Sequence, residues 1–230
     1  MPQHIGIVAC SAEGAALCYR TICAEAPPIL GPDATPEVTL HMPDFAAYTR
    51  CFEREDWVGV GALMLASARK LASVGADFLI CPDNTIHQAL PHVLADSPRP
   101  WLHIAEVVAE EAHHRGFRRI GVLGTRWLVA SDVYPEKLSA RGIEAVRPNV
   151  DDGEFVHRVI MDELIRSVFT PNATAGVQGV IARLKDAGCD AVVLGCTEIP
   201  LIISDANSAL PTLDSTRLLA RAALRKAVSD

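Results

Sequence analysis

Apolar and polar residues follow two rhythms along this chain. Short apolar runs stand at residues 5–9, 78–81 and 191–194, and similar short stretches with polar residues among the apolar ones at 37–41, 119–123, 143–146 and 210–213, with a further short one at 101–104. Runs of that length read as strands buried on both faces. Between them, apolar positions return every three to four residues, which predicts helices. The clearest are 57–73, with Val60, Leu63, Met64 and Leu71 on one face, and 155–169, with Val159, Ile160, Leu164 and Val168. Others are expected from Ser11 through Ala24 and at 106–114, 135–140, 174–187 and 215–228. Ser11 and Asp56 stand where N-caps belong, and Gly75, Gly116, Gly142 and Gly188 where helices stop. Strands alternating with helices predict an α/β fold with parallel sheets, whose ligands lie beyond the carboxyl ends of the strands.

One passage of this pattern occurs twice. Residues 71–85 read LASVGADFLICPDNT and residues 184–198 read LKDAGCDAVVLGCTE. Superposed, Leu71 falls on Leu184, Gly75 on Gly188, Asp77 on Asp190 and Ile80 on Val193. Asp83 then falls on Cys196, while Cys81 falls on Leu194, inside the strand. A second echo, HIGIVACS at 4–11 and RIGVLGTR at 119–126, sets Gly6 on Gly121 and Ser11 on Arg126. Two echoes in one order predict two pseudo-symmetric lobes, each a parallel sheet flanked by helices. The expected division is 1–97 plus 207–230 for the first lobe and 98–206 for the second. Residues 91–100 form the crossing, and the last helix returns to the first lobe.

Composition narrows the function. The net charge of −7 carries no basic footprint for nucleic acid. No apolar run reaches the ~20 residues of a membrane span, and no signal peptide is seen at the start. Seven cysteines, an odd number without zinc spacing, fit thiols in a reducing cytoplasm.

Cys196, between Gly195 and Thr197, ends a strand and is expected to open a helix, a place that stabilises a thiolate. Position alone leaves it open whether this is a reactive thiol or a small core cysteine; the echo with Asp83 favours the former. Asp83, in Pro82-Asp83-Asn84-Thr85, has a turn or cap as its plain reading. Asn84, Thr85 and Thr197 have hydrogen-bond donors for a carboxylate, or are caps themselves. His87 and His92 are five apart and do not share a helix face, so no metal site is expected. His103, between apolar residues, reads as a core histidine. Gly59-Val60-Gly61 lacks the strand and third glycine of a dinucleotide fingerprint, and there is no phosphate-binding loop or pyridoxal lysine context.

Leu194-Gly195-Cys196-Thr197-Glu198-Ile199-Pro200 resembles the second signature of the cofactor-independent aspartate/glutamate racemase superfamily. Pro82-Asp83-Asn84-Thr85-Ile86-His87 resembles the first, which in two-cysteine members reads PCNT followed closely by His. The opening Ile5-Gly6-Ile7-Val8 and Gly121-Val122-Leu123-Gly124-Thr125 fit as well. The resemblance implies two similar lobes with the site in the cleft between them, one catalytic cysteine from each lobe and no metal or other cofactor; Cys196 is the second of these, and Asp83, standing where the first belongs, is the candidate partner acid/base. It also implies substrate binding by Ser11, Asn84, Thr85, Thr125, Thr197 and Glu198, and a homodimer in the cytoplasm. The expected reaction is racemisation or epimerisation at the α-carbon of a small acidic amino acid. One group would remove the α-proton and the other protonate the opposite face. Reference acidities about 4.6 units apart make carboxylate Asp83 with thiol Cys196 the expected resting pair. Asp83 departs from the family's first cysteine, and relatives lacking that cysteine include one-sided racemases and decarboxylases. A single-cysteine decarboxylase or lyase on a small dicarboxylic acid therefore stays open, as does a non-catalytic binder of small acids.

Overall fold

The computed structural model describes residues 2–229. They form two compact units: one runs to Ile104 and resumes at Thr216, and the other is Ala105–Ser215. In the first unit β1 (Ile5–Val8), β2 (Val38–His41), β3 (Phe78–Ile80) and β4 (Trp101–Leu102) form a parallel sheet in the order β2-β1-β3-β4. Its helices are α1 (Ala12–Glu25), α2 (Pro27–Leu30), α3 (Phe45–Phe52) and α4 (Trp57–Ser73). In the second unit β5 (Arg119–Leu123), β6 (Glu144–Val146), β7 (Ala191–Leu194) and β8 (Thr212–Asp214) are parallel in the order β6-β5-β7-β8. Around it are α5 (Ile104–His114), α6 (Arg126–Ala130), α7 (Val133–Ser139), α8 (Val150–Arg158) and α9 (Pro171–Asp186). The closing helix, α10 (Ser215–Val228), belongs to the first unit from Thr216 on.

The two sheets have one topology, and the repeated residues explain how each is assembled. Asp56 caps α4 by accepting the Gly59 amide proton at 2.8 Å, and Thr170 caps α9 by accepting that of Ala173 at 3.1 Å. Gly75 (φ +99°) ends the first helix and Gly188 (φ +88°) the second, each in the left-handed conformation that glycine adopts without strain. The amides of Ala76 and Cys189 then return to the carbonyls of Leu71 and Leu184. Asp77 accepts the amide proton of His4, and Asp190 those of Arg118 and Arg119, so each aspartate ties its helix–strand corner to the entry of the central strand. A Cβ on Gly6 would stand 3.3 Å from Cβ of Leu71 and 2.6 Å from Leu79 Cδ2; one on Gly121 would stand 2.7 Å from Leu184 Cδ1. The glycines let helix and strand approach at equivalent places.

The structure corrects four expectations. The division falls at Ile104/Ala105 and Ser215/Thr216 rather than at 97/98 and 206/207. Trp101 and Leu102 pair with Leu79 and Ile80 of the first sheet, and Thr212 and Leu213 with Val192 and Val193 of the second. Residues 91–100 are therefore not the crossing. They continue a 3₁₀ segment, Thr85–His92, and lead into β4. The helix expected over 155–169 starts earlier and passes through a π turn, Val159–Glu163, and a 3₁₀ turn, Leu164–Arg166. It stops at Ser167 (φ +57°), so Val159, Ile160 and Leu164 are buried while Val168 lies exposed beyond the stop. Cys196 opens no α-helix; Ile199–Leu201 is a single 3₁₀ turn.

Among the described residues no helix is long and apolar enough to cross a membrane.

Candidate functional site

Register places Asp83 and Cys196 at the same level of the two sheets. Ile7 pairs with Ile80 in the first and Val122 with Val193 in the second. Three residues beyond each of these paired positions comes Asp83 in one unit and Cys196 in the other.

In the first unit, Asp83 sits in the turn between β3 and the 3₁₀ segment. Its Oδ1 accepts the Ile86 amide proton at 3.1 Å, which is capping geometry. Its carbonyl oxygen accepts from His87 Nδ1 at 2.7 Å and, more weakly, from the Cys81 thiol at 3.8 Å. Asn84 and Thr85 follow, both buried. Cys81 is fully buried, and burial first, then the Asp83 carboxylate, pushes its thiol pKa well up. It is a protonated core thiol, not a second nucleophile. Ser11, beyond β1, occupies the N-cap position of α1 with extended backbone and no side-chain capping bond.

Tyr48 on α3 escaped the sequence reading. It is fully buried, and burial raises its pKa strongly, followed by the influence of Cys10, Cys81 and Asp83. Its hydroxyl has no hydrogen-bond partner among the described residues. The aromatic face Tyr48/Phe52 of a short helix was its only signal in the sequence.

In the second unit the ends of β5 and β7 touch. The Gly195 amide donates to Leu123 O at 2.8 Å. A Cβ on Gly195 would stand 2.5 Å from that same oxygen, and one on Gly124 3.1 Å from Gly195 O. Thr125 and Cys196 thus leave adjacent strands from one point of contact. Thr125 Oγ1 accepts the Leu128 amide proton at 3.2 Å and caps α6. The Cys196 thiol, 8% exposed at the edge of the unit's apolar core, donates to Glu198 Oε2 at 3.0 Å. The Thr197 hydroxyl donates to the same oxygen at 2.9 Å. Both Thr197 and Glu198 are buried. One carboxyl oxygen therefore fixes the thiol and its neighbour together. Ser215 braces the strand by donating to Leu194 O at 2.8 Å.

His157 also went unread. Its Nδ1 accepts the Arg126 amide proton at 3.4 Å, and the Trp127 ring meets it edge-on at 5.0 Å. Burial, then the Arg126 charge, lowers its pKa, which favours neutral imidazole. It lies on the buried side of α8, three residues before Ile160, a place indistinguishable in sequence from a core position. The structure thus groups Asp83, Asn84 and Thr85 in one unit and Thr125, Cys196, Thr197 and Glu198 in the other. Among the described residues no three His, Cys, Asp or Glu side chains cluster to hold a metal ion.

A sequence profile of the family described as Asp/Glu/Hydantoin racemase matches residues 5–223. A broad-specificity amino-acid racemase of Bacillus subtilis is 26% identical over 162 residues, 69% of this chain and 68% of its own length. A glutamate racemase of Thermus thermophilus is 29% identical over 187 residues, 73% of this chain and 65% of its own length. Among solved structures, a Yersinia pestis protein provisionally assigned as an Asp/Glu racemase superposes with a TM-score of 0.89 at 28% identity. It covers 99% of this chain and 100% of its own. An aspartate racemase homologue from Pyrococcus horikoshii OT3 gives 0.84 at 26%, with full coverage of both chains.

Proposed function

The chain belongs to the Asp/Glu/hydantoin racemase family, pyridoxal-independent isomerases of amino acids, and we propose that it inverts the α-carbon of a small acidic amino acid, aspartate- or glutamate-like. The observation that carries this reading is the shared register of Asp83 and Cys196 in two sheets of one topology. Asp83 takes the α-proton of one enantiomer, and Cys196 protonates the other face; the reverse direction exchanges the roles. Each forward transfer leaves Asp83 protonated and Cys196 as thiolate, the form from which the reverse reaction starts, and Glu198 Oε2, the thiol's hydrogen-bond partner, keeps the sulfur in place. The carbanion between the two transfers needs donors aimed at the substrate carboxylate, and Asn84, Thr85, Thr125 and Thr197 supply them. Microscopic reversibility fixes kcat/KM for the two hands to the reaction's equilibrium constant, so asymmetry between them appears in kcat, in KM and in proton exchange.

A second reading is favoured by one bond. Asp83 Oδ1 caps Ile86, which is what a plain turn aspartate does. In that case Cys196 acts alone, as the proton donor of a decarboxylase or lyase on a small dicarboxylic acid. Incubation with each enantiomer of aspartate and glutamate in D₂O separates the readings. Deuterium at the α-carbon with no CO₂ released is the racemase outcome. Release of CO₂ from a dicarboxylic acid is the lyase outcome, and neither change means a binder.

A further inference from the structure

His87 is 2% exposed, and both of its ring nitrogens are engaged. Nδ1 lies 2.7 Å from the Asp83 carbonyl oxygen, and Nε2 lies 3.2 Å from the backbone nitrogen of Ile104. A carbonyl oxygen only accepts and an amide N–H only donates, so the partners fix the tautomer: hydrogen on Nδ1, lone pair on Nε2. Ile104 is the first residue of α5, whose N–H would otherwise lack an intrahelical acceptor. His103 closes the ring's third side, with its centroid 4.7 Å away. The imidazole is thus a rigid strut from the start of a helix to the carbonyl of the residue that carries the acid.

We propose that His87 is a positioning residue for Asp83, holding its turn so that the carboxylate meets the α-proton; the idea rests on the acid/base reading of Asp83 given above. A rigid ring with a donor on one edge and an acceptor on the other suits this place. Phenylalanine keeps the shape and loses both bonds, and glutamine keeps both functions on a flexible stem. The equivalent position of the second unit holds no imidazole. Pro200 stands four residues beyond Cys196, as His87 stands four beyond Asp83, and the reactive thiol is held through its side chain by Glu198 instead. The strut therefore serves one face of the substrate only.

The test resolves the two faces in the full-length protein. The enantiomer whose α-deuterium wash-in is abolished by Asp83→Asn defines the Asp83 side. His87→Phe is expected to slow wash-in on that side by about 100-fold, the scale of an ångström's misplacement. Exchange with retention on the Cys196 side should stay at the unmodified rate, and His87→Gln should recover part of the loss. Equal losses on both sides, together with a fall in melting temperature, would make His87 a core residue and overturn the proposal; so would no loss on either side. An arm independent of turnover is the ¹⁵N spectrum of the His87 ring at neutral pH. It should show Nδ1 protonated and Nε2 bare, and the opposite tautomer would remove the strut. Absence of wash-in in the unmodified protein would sink the racemase reading and the catalytic half of this proposal, while the spectrum still decides the anchoring half.

Discussion

The turn after β3 and the turn after β7 stand at the same place in two copies of one sheet, yet they hold their reactive groups by different means. In the first, the His87 ring grips the Asp83 carbonyl oxygen, and the Asp83 side chain itself accepts the Ile86 amide proton. The second is fixed at the side chain, where Glu198 binds the thiol of Cys196 and the hydroxyl of Thr197. The frame beneath is shared down to single atoms, with Gly6 against Leu71 and Gly121 against Leu184. A duplicated scaffold thus preserves where chemistry is placed while leaving free which chemistry is placed there. In one turn the side chain is the carboxyl of Asp83, in the other the thiol of Cys196.

The largest effect is expected from emptying the second turn. Cys196→Ala should lower turnover by about 10⁴-fold, the upper range for a positioned acid/base group, with the melting temperature nearly unchanged. Full activity on the true substrate would make Cys196 a structural thiol. Asp83→Asn comes next. The amide keeps the shape and cannot take a proton, so a loss of about 10²–10³-fold is expected in racemisation of both enantiomers. Undiminished turnover would reduce Asp83 to its capping role and leave the lyase reading. Asp83→Cys makes the two turns alike, and the expected outcome is racemisation of aspartate or glutamate through a pair of thiols.

Glu198→Gln should act more mildly. The amide keeps one oxygen for the thiol and the Thr197 hydroxyl but puts a donor in place of the other, so the thiol is held less firmly and kcat should fall about tenfold with KM little changed. A rise in KM alone would instead assign Glu198 to substrate binding. The smallest effects test the frame. Gly6→Ala and Gly121→Ala should each cost about 1–3 kcal/mol by overpacking, read as similar drops in melting temperature. Unequal drops would show that the two copies have diverged beneath the turns as well as at them.

The sequence announced this frame clearly because each part of it is local. A helix stop needs glycine at Gly75 and Gly188, a corner needs an acid at Asp77 and Asp190, and both recur at fixed spacing. The boundaries were harder to see. β4 has only two residues, and its place is decided by pairing with β3 across the whole 3₁₀ segment. The π turn was hidden because its apolar stripe fits an unbroken helix equally well. At the site, Asp83 and Cys196 were legible through the repeat, whereas the bond from Cys196 to Glu198 was not. In a helix residues two apart do not face each other; here the chain turns before Pro200 without opening one, and the two side chains meet. Tyr48 and His157 reach their neighbours from other elements, and nothing in their own surroundings in the chain marks them.

The point where the chain changes units has a consequence for synthesis. The second unit is one continuous stretch, so all of it has been synthesised before α10 is complete. The first unit is then still short of that helix. Leu219, Ala220, Ala223 and Leu224 complete its buried surface, and Arg221 grips Glu25 of α1. At roughly 5–20 residues per second, the N-terminal sheet waits several seconds or more for its last layer. The part of the chain made first is therefore the last to be finished, and its apolar face stays open longest on the ribosome.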